Sequence, residues 1–172
     1  MTEANANYTT PGLEVEEGHR VAEVLQTRLH AMNDLQLTLK QAHWNVVGRD
    51  FISVHEMLDP QIDLVRDYAD TLAERIATLG VAPKGTPGAI VSERTWEDYS
   101  LLRGSTLAHI SALDEVYTGI IADLRAAISE VGKVDPMSED ILIEQARGLE
   151  LFHWFLRSFI TSPEGNIEHV QD

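Results

Sequence analysis

The chain has 172 residues, 44% of them hydrophobic, a formal net charge of −15 and no cysteine. This length suits one domain with its own core, and the missing cysteine excludes disulfides, thiolate ligands and cysteine nucleophiles, so a metal ion has only histidine and carboxylate to bind. No run of about eighteen apolar residues occurs and Met1 to Gly18 lacks a basic start and an apolar stretch, so neither a membrane span nor a signal peptide is expected and the default compartment is the cytoplasm. The negative charge disfavours nucleic-acid phosphates and anionic lipid and attracts cations, although it is also a common solubility device.

Apolar residues recur at helical spacing along most of the chain, and no period-two run is long enough to argue a sheet, so the fold class is all-α. The first helix is expected from about Glu17 to Val46, with Val21, Val24, Leu25, Leu29, Met32, Leu35 and Leu39 as its apolar stripe, ended by Gly48. The second runs from Phe51, with Asp50 or Ser53 as cap, to Leu79, where Gly80 supplies the terminating glycine. Pro60 inside it predicts a local bend rather than an end, because the apolar pattern resumes at once. Between Val81 and Gly104, Pro83, Gly85, Pro87 and Gly88 mark a long crossover, with a short extra helix expected over Thr95 to Leu102. The third long helix spans Ser105 to Val131, and the fourth starts at a Ser138 cap after the loop Gly132 to Pro136 and ends near Ile160. Four long helices with one long crossover make a ferritin-like four-helix bundle over 17–160, between a flexible acidic N-terminal tail, 1–16, and a short acidic C-terminal tail, 161–172.

The chemistry concentrates in five residues: His43, His55, Asp59, Asp70 and Glu74. Residues four apart share a helix face, so His55 with Asp59 and Asp70 with Glu74 are ligand pairs by spacing. The eleven residues from Asp59 to Asp70 keep both pairs on one face but set them roughly 16 Å apart, too far to share an ion. Two second helices packed antiparallel about a two-fold axis, passing near Leu64 and Val65, bring the His55 end of one chain to the Glu74 end of the other and make two identical sites per dimer. His43 adds a third donor beside His55, and such a mixed imidazole and carboxylate site suits Fe(II), and also Zn or Mn. The plainer reading of these residues is solvated or locally paired side chains.

The stretch KQAHWNVVGRDFISVHEMLDP followed by DYADTLAERIATLG closely resembles the signature region of the Dps family, or mini-ferritins, and the resemblance extends from Val21 to Ile160. It implies a homododecamer around a cavity that takes up Fe(II), oxidises it at intersubunit ferroxidase centres, preferentially with hydrogen peroxide, and stores a ferric mineral. Carried over by position, His43, His55 and Asp59 come from one subunit, and Asp70 and Glu74 from its two-fold partner. Trp44, beside His43, matches an aromatic that the family often has near the centre, where it intercepts radicals or simply packs an interface. Related cages have an acid-lined three-fold pore, for which Glu130, Asp135, Glu139 and Asp140 are the candidates here, against the plainer reading of favourable acids at a helix start.

The chain departs from the family at its tails. Many relatives bind DNA through lysine- or arginine-rich extensions, but Met1 to Gly18 and the stretch after Ile160 hold no Lys or Arg, so direct DNA binding is not expected. Two other readings compete for the metal chemistry. Glu16-x-x-His19 and Glu150-x-x-His153 match the element that builds di-iron sites within one bundle. A metal-activated water at the same ligands would instead make a hydrolase of small amides or esters. His30, His109 and His169 have no partners at ligand spacing and read as surface or packed residues.

Overall fold

A computed structural model describes residues 6–170. The long helices are α1 (Val15–Asn45), α2 (Phe51–Thr78), α4 (Thr106–Val131) and α5 (Pro136–Ile160), with a short α3 (Pro87–Glu93) in the crossover. Helix α1 packs along α2, and α4 along α5. Their apolar stripes meet in one core, in which Leu25, Met32, Leu39, Leu58, Leu72, Tyr117, Leu124, Leu142 and Leu156 are fully buried. The core is the reason these helices persist, since tertiary burial of an amphipathic face outweighs intrinsic propensity. Two-residue strands β1 (Val46–Val47) and β2 (Gly104–Ser105) pair in parallel, so the end of the crossover is pinned beside the α1–α2 turn.

The helix ends show where local chemistry acts. Glu17 accepts the Glu14 N–H at 3.4 Å, so α1 begins two residues before the expected Glu17 start. Pro60 does not end α2: the helix continues through it, with the proline on the exposed side. The extra helix is not at Thr95 to Leu102. It is α3, because Thr86 accepts the Ala89 N–H at 3.4 Å and Pro87 occupies the first helical position, where its missing donor costs nothing. The segment 95–102 is instead irregular and held by side chains, with Trp96 Nε1 donating to Asp34 at 2.6 Å.

Helix α5 is capped not by Ser138 but by Asp135, whose carboxylate accepts the N–H groups of Met137 and Ser138, both at 3.3 Å. Ser138 lies one turn inside and is fully buried. Of the segment read as an N-terminal tail, residues 1–5 lie outside the described residues, and Ala6 donates its N–H to the Gly80 carbonyl at 2.7 Å, which places the following stretch against the end of α2. Gly80 has φ +86°, and a β-carbon there would strike the Tyr8 carbonyl, so glycine is required both to end α2 and to admit this strap. At the other end, Thr161 bridges to Ile167 and folds residues 161–168 back as a hairpin.

Candidate metal centre

His43 sits on the last turn of α1 and His55 on the second turn of α2, and the tight turn through Gly48 brings their rings into a stack with centroids 3.6 Å apart. Each ring donates to the other's backbone: His43 Nδ1 lies 3.1 Å from the His55 carbonyl, and His55 Nδ1 lies 2.9 Å from the His43 carbonyl. A carbonyl only accepts, so both Nδ1 atoms carry hydrogen, and in the neutral ring that leaves Nε2 with the lone pair. Burial lowers the His43 pKa, and the stacked His55 adds to this, outweighing the opposing pull of the Asp59 carboxylate. Neutral imidazoles with Nε2 free are the form that binds a divalent metal.

Asp59, one turn beyond His55, lies 3.4 Å from His43 Nδ1 and accepts from Lys40 Nζ at 3.1 Å. The Lys40 hydrogen bond holds its carboxyl below the ordinary carboxylate range, so it stays ionised. Lys40 lies one turn before His43 in α1, and that spacing is the only mark in the sequence of its place at this site. Trp44 points away from the core with 71% of its surface exposed.

Asp70 and Glu74 are exposed on α2, on the face that carries Asp59, and neither has an ion-pair partner among the described residues. The structure thus brings His43, His55 and Asp59 together and leaves Asp70 and Glu74 apart along the same helix. Among the described residues no group of three His, Asp or Glu is disposed to hold a metal within one chain. The level at which two such helices would cross is Leu64 and Val65 by numbering, but Val65 is fully buried and Leu64 packs into the core. The outward residues there are Asp63 and Arg66.

Of the two competing di-iron elements, Glu150-x-x-His153 is committed elsewhere. His153 donates from Nε2 to the buried Asp114 at 2.6 Å, beside the Arg157 Nε at 3.0 Å, and Glu150 accepts from Arg125 at 2.8 Å. The three histidines read as unpartnered all have neighbours that the linear sequence hides. His30 Nε2 meets Glu93 at 3.3 Å, His109 Nδ1 and the Tyr99 hydroxyl share a hydrogen bond of 2.7 Å, and His169 lies 3.6 Å from Asp114. Of the pore candidates, Glu130 and Asp140 are exposed and Glu139 is half-buried over Gly132. Asp135 is buried, ion-paired with Arg75 at 2.6 Å and bonded to Ser138, so its charge is spent inside the subunit rather than presented to a channel.

The fold agrees with comparisons to known proteins. The ferritin-like domain model matches residues 22–164. The DNA protection during starvation protein of Mycolicibacterium smegmatis is 53% identical over 163 residues, covering 95% of this chain and 89% of that protein. Among solved structures, the tetragonal form of Mycobacterium smegmatis Dps superposes with a TM-score of 0.94 at 53% identity, covering 96% of this chain and 99% of that one. DpsA14 from Streptomyces coelicolor gives a TM-score of 0.94 at 55% identity, covering 97% and 99%. None of these similarities supports the hydrolase reading. The chain belongs to the ferritin-like family and, within it, to the Dps proteins, which store iron in a protein cage and protect against stress.

Proposed function

We propose that this protein is a ferroxidase that works as a closed homododecamer in the cytoplasm, with Fe(II) as substrate and hydrogen peroxide or oxygen as oxidant. The observation that carries this reading is the His43–His55 pair, locked by its own backbone carbonyls with both Nε2 atoms free, and the ionised Asp59 3.4 Å from His43 Nδ1. Such a half-site offers too few donors to enclose an ion, and Asp70 and Glu74, without an ion-pair partner among the described residues, stand on the same helix face about three to four turns from Asp59. A two-fold partner completes it with the carboxylates that hard Fe(III) prefers over Fe(II), which lowers the free-energy cost of losing the electron. Each Fe(II) gives up one electron, and one peroxide takes two electrons and two protons to become two waters. Hydroxyl radicals are avoided because the peroxide is consumed in a two-electron step.

Fe(II) oxidation followed by absorbance tests the assignment. The His55→Ala and Glu74→Ala proteins are each expected to assemble and to oxidise Fe(II) at least about tenfold more slowly, as loss of a metal-site group commonly does. A His55→Ala cage with the native rate would remove the site from the mechanism.

Protection in this protein is chemical rather than by coating DNA. Phosphate binding needs several Lys or Arg contacts to release counterions, and residues 1–18 and 161–172 contain none. In a mobility-shift assay at physiological salt, plasmid without added divalent cation is expected to migrate unchanged; a retarded band would contradict this.

A further inference from the structure

The outward stripe of α2 is His55, Asp59, Asp63, Arg66, Asp70 and Glu74. Its steps are four, four, three, four and four, the same in either direction, and the six positions fall within roughly 100° of helix arc. A two-fold axis at the centre of such a stripe lays it on itself antiparallel. Position by position, His55 then faces the partner subunit's Glu74, Asp59 faces the partner's Asp70, and Asp63 faces the partner's Arg66. The register that completes the metal centre is therefore also the register that joins an acid to a base at the axis.

The charge inventory gives that central pair its importance. Helix α2 carries six acids, at 56, 59, 63, 67, 70 and 74, and two arginines. Arg75 is turned inward to Asp135, whereas Arg66 is exposed and has no ion-pair partner among the described residues. Two such faces brought together repel unless cations separate them. Iron and Lys40 serve the two ends, which leaves Arg66 as the only free cation of α2 for the middle. Helices in contact lie about 8–10 Å apart, a gap that Arg and Asp side chains span. Slipping the pair by one turn in the direction that moves Arg66 to the partner's Asp67 sets Asp63 against the partner's Asp70, and Asp59 against the partner's Glu74, with no histidine between.

We propose that Arg66 and Asp63 form two reciprocal ion pairs across the two-fold axis, and that these pairs set the register in which the shared metal centre closes. Arg66 is a positioning residue: it acts on the iron site through the dimer, not by touching iron. The proposal rests on the shared-site reading above.

Charge exchange tests it, with assembly read by native mass spectrometry and site closure by Fe(II) oxidation. Arg66→Asp puts acid against acid at the axis and is expected to lower the cage fraction and to reduce oxidation by about tenfold or more, with helix content unchanged because position 66 is exposed. Adding Asp63→Arg to the same chain restores the pair with its polarity reversed and is expected to bring oxidation back to within about threefold of native. Adding Asp67→Arg to Arg66→Asp instead is expected to restore neither. An Arg66→Asp protein that assembles and oxidises normally overturns the proposal, as does rescue by Asp67→Arg and not by Asp63→Arg. If His55→Ala is inactive in that case, the shared site stands and only the register pair falls. Loss of the cage with undiminished oxidation sinks the shared site itself.

Discussion

A cage assembled from equal amounts of His55→Ala and Glu74→Ala chains is expected to oxidise Fe(II) faster than a cage of either variant alone. The nineteen residues between these positions span roughly 28 Å of α2, so one ion cannot touch both in one chain. In a dimer of one chain of each kind, one site carries both defects and the other carries neither. Random pairing makes half of the dimers mixed, with half of their sites intact, so about a quarter of the native site number returns. The measurement is the initial rate of Fe(II) oxidation after co-refolding, with the cage size verified for every sample. A mixed preparation no faster than either parent would show that the two residues do not meet across an interface. The experiment is insensitive to modest losses of stability, because each parent cage carries the same substitutions at full dose.

The largest expected loss of stability comes from Arg75→Met. Arg75 donates from its guanidinium to Asp135 at 2.6 Å and to the Ser138 hydroxyl at 2.9 Å, tying the end of α2 to the start of α5. Asp135 is 4% exposed, so methionine leaves a buried carboxylate without its cation at a cost of about 3–5 kcal/mol. Burial raises the Asp135 pKa, but the Ser138 hydrogen bond and Arg75 together outweigh it and hold the carboxyl below its ordinary value. A depressed folded-state pKa contributes stability that is present above the unfolded value, near pH 4, and is lost as pH falls through the folded value. The gap between native and Arg75→Met proteins in guanidinium midpoint is therefore expected to be full at pH 7 and to narrow below about pH 4. A gap that is absent at pH 7, or that widens in acid, would show that the ion pair does not hold these helices together. Because Glu74 is the neighbouring residue, a loosened α2 end is also expected to slow iron oxidation.

The all-α class and the four long helices were legible because apolar spacing and helix-ending glycines are local signals. Gly80 ends α2 where the pattern places it, and α4 begins at Thr106, one residue after the expected Ser105 start, with Ser105 as its cap. Of the two helix starts that differ most from the expected ones, one has a local cause and the other a distant one. Pro87 reads equally as a breaker or as the first residue of a helix, and Thr86 before it decides for the helix. Asp135 and Ser138 are both good caps by type, and the first is chosen because Arg75, sixty residues away in sequence, neutralises it there.

The sequence by itself singles out the residues proposed here for the iron chemistry. The spacing of His55, Asp59, Asp70 and Glu74 is a property of one helix, and one rise per residue is enough to show that a single chain falls short of a site. Tertiary structure alone decided the remainder. It stacks His43 on His55 so that each Nδ1 is used and each Nε2 is free, and it sets Lys40 on Asp59. It places His153 and Arg157 on the buried Asp114, not on a metal, and it turns Arg75 inward while Arg66 stays outside. The physical reason is the same in each case. Helical periodicity specifies the face from which a side chain leaves, whereas burial, tautomer and ion pairing depend on groups that other helices bring to that face.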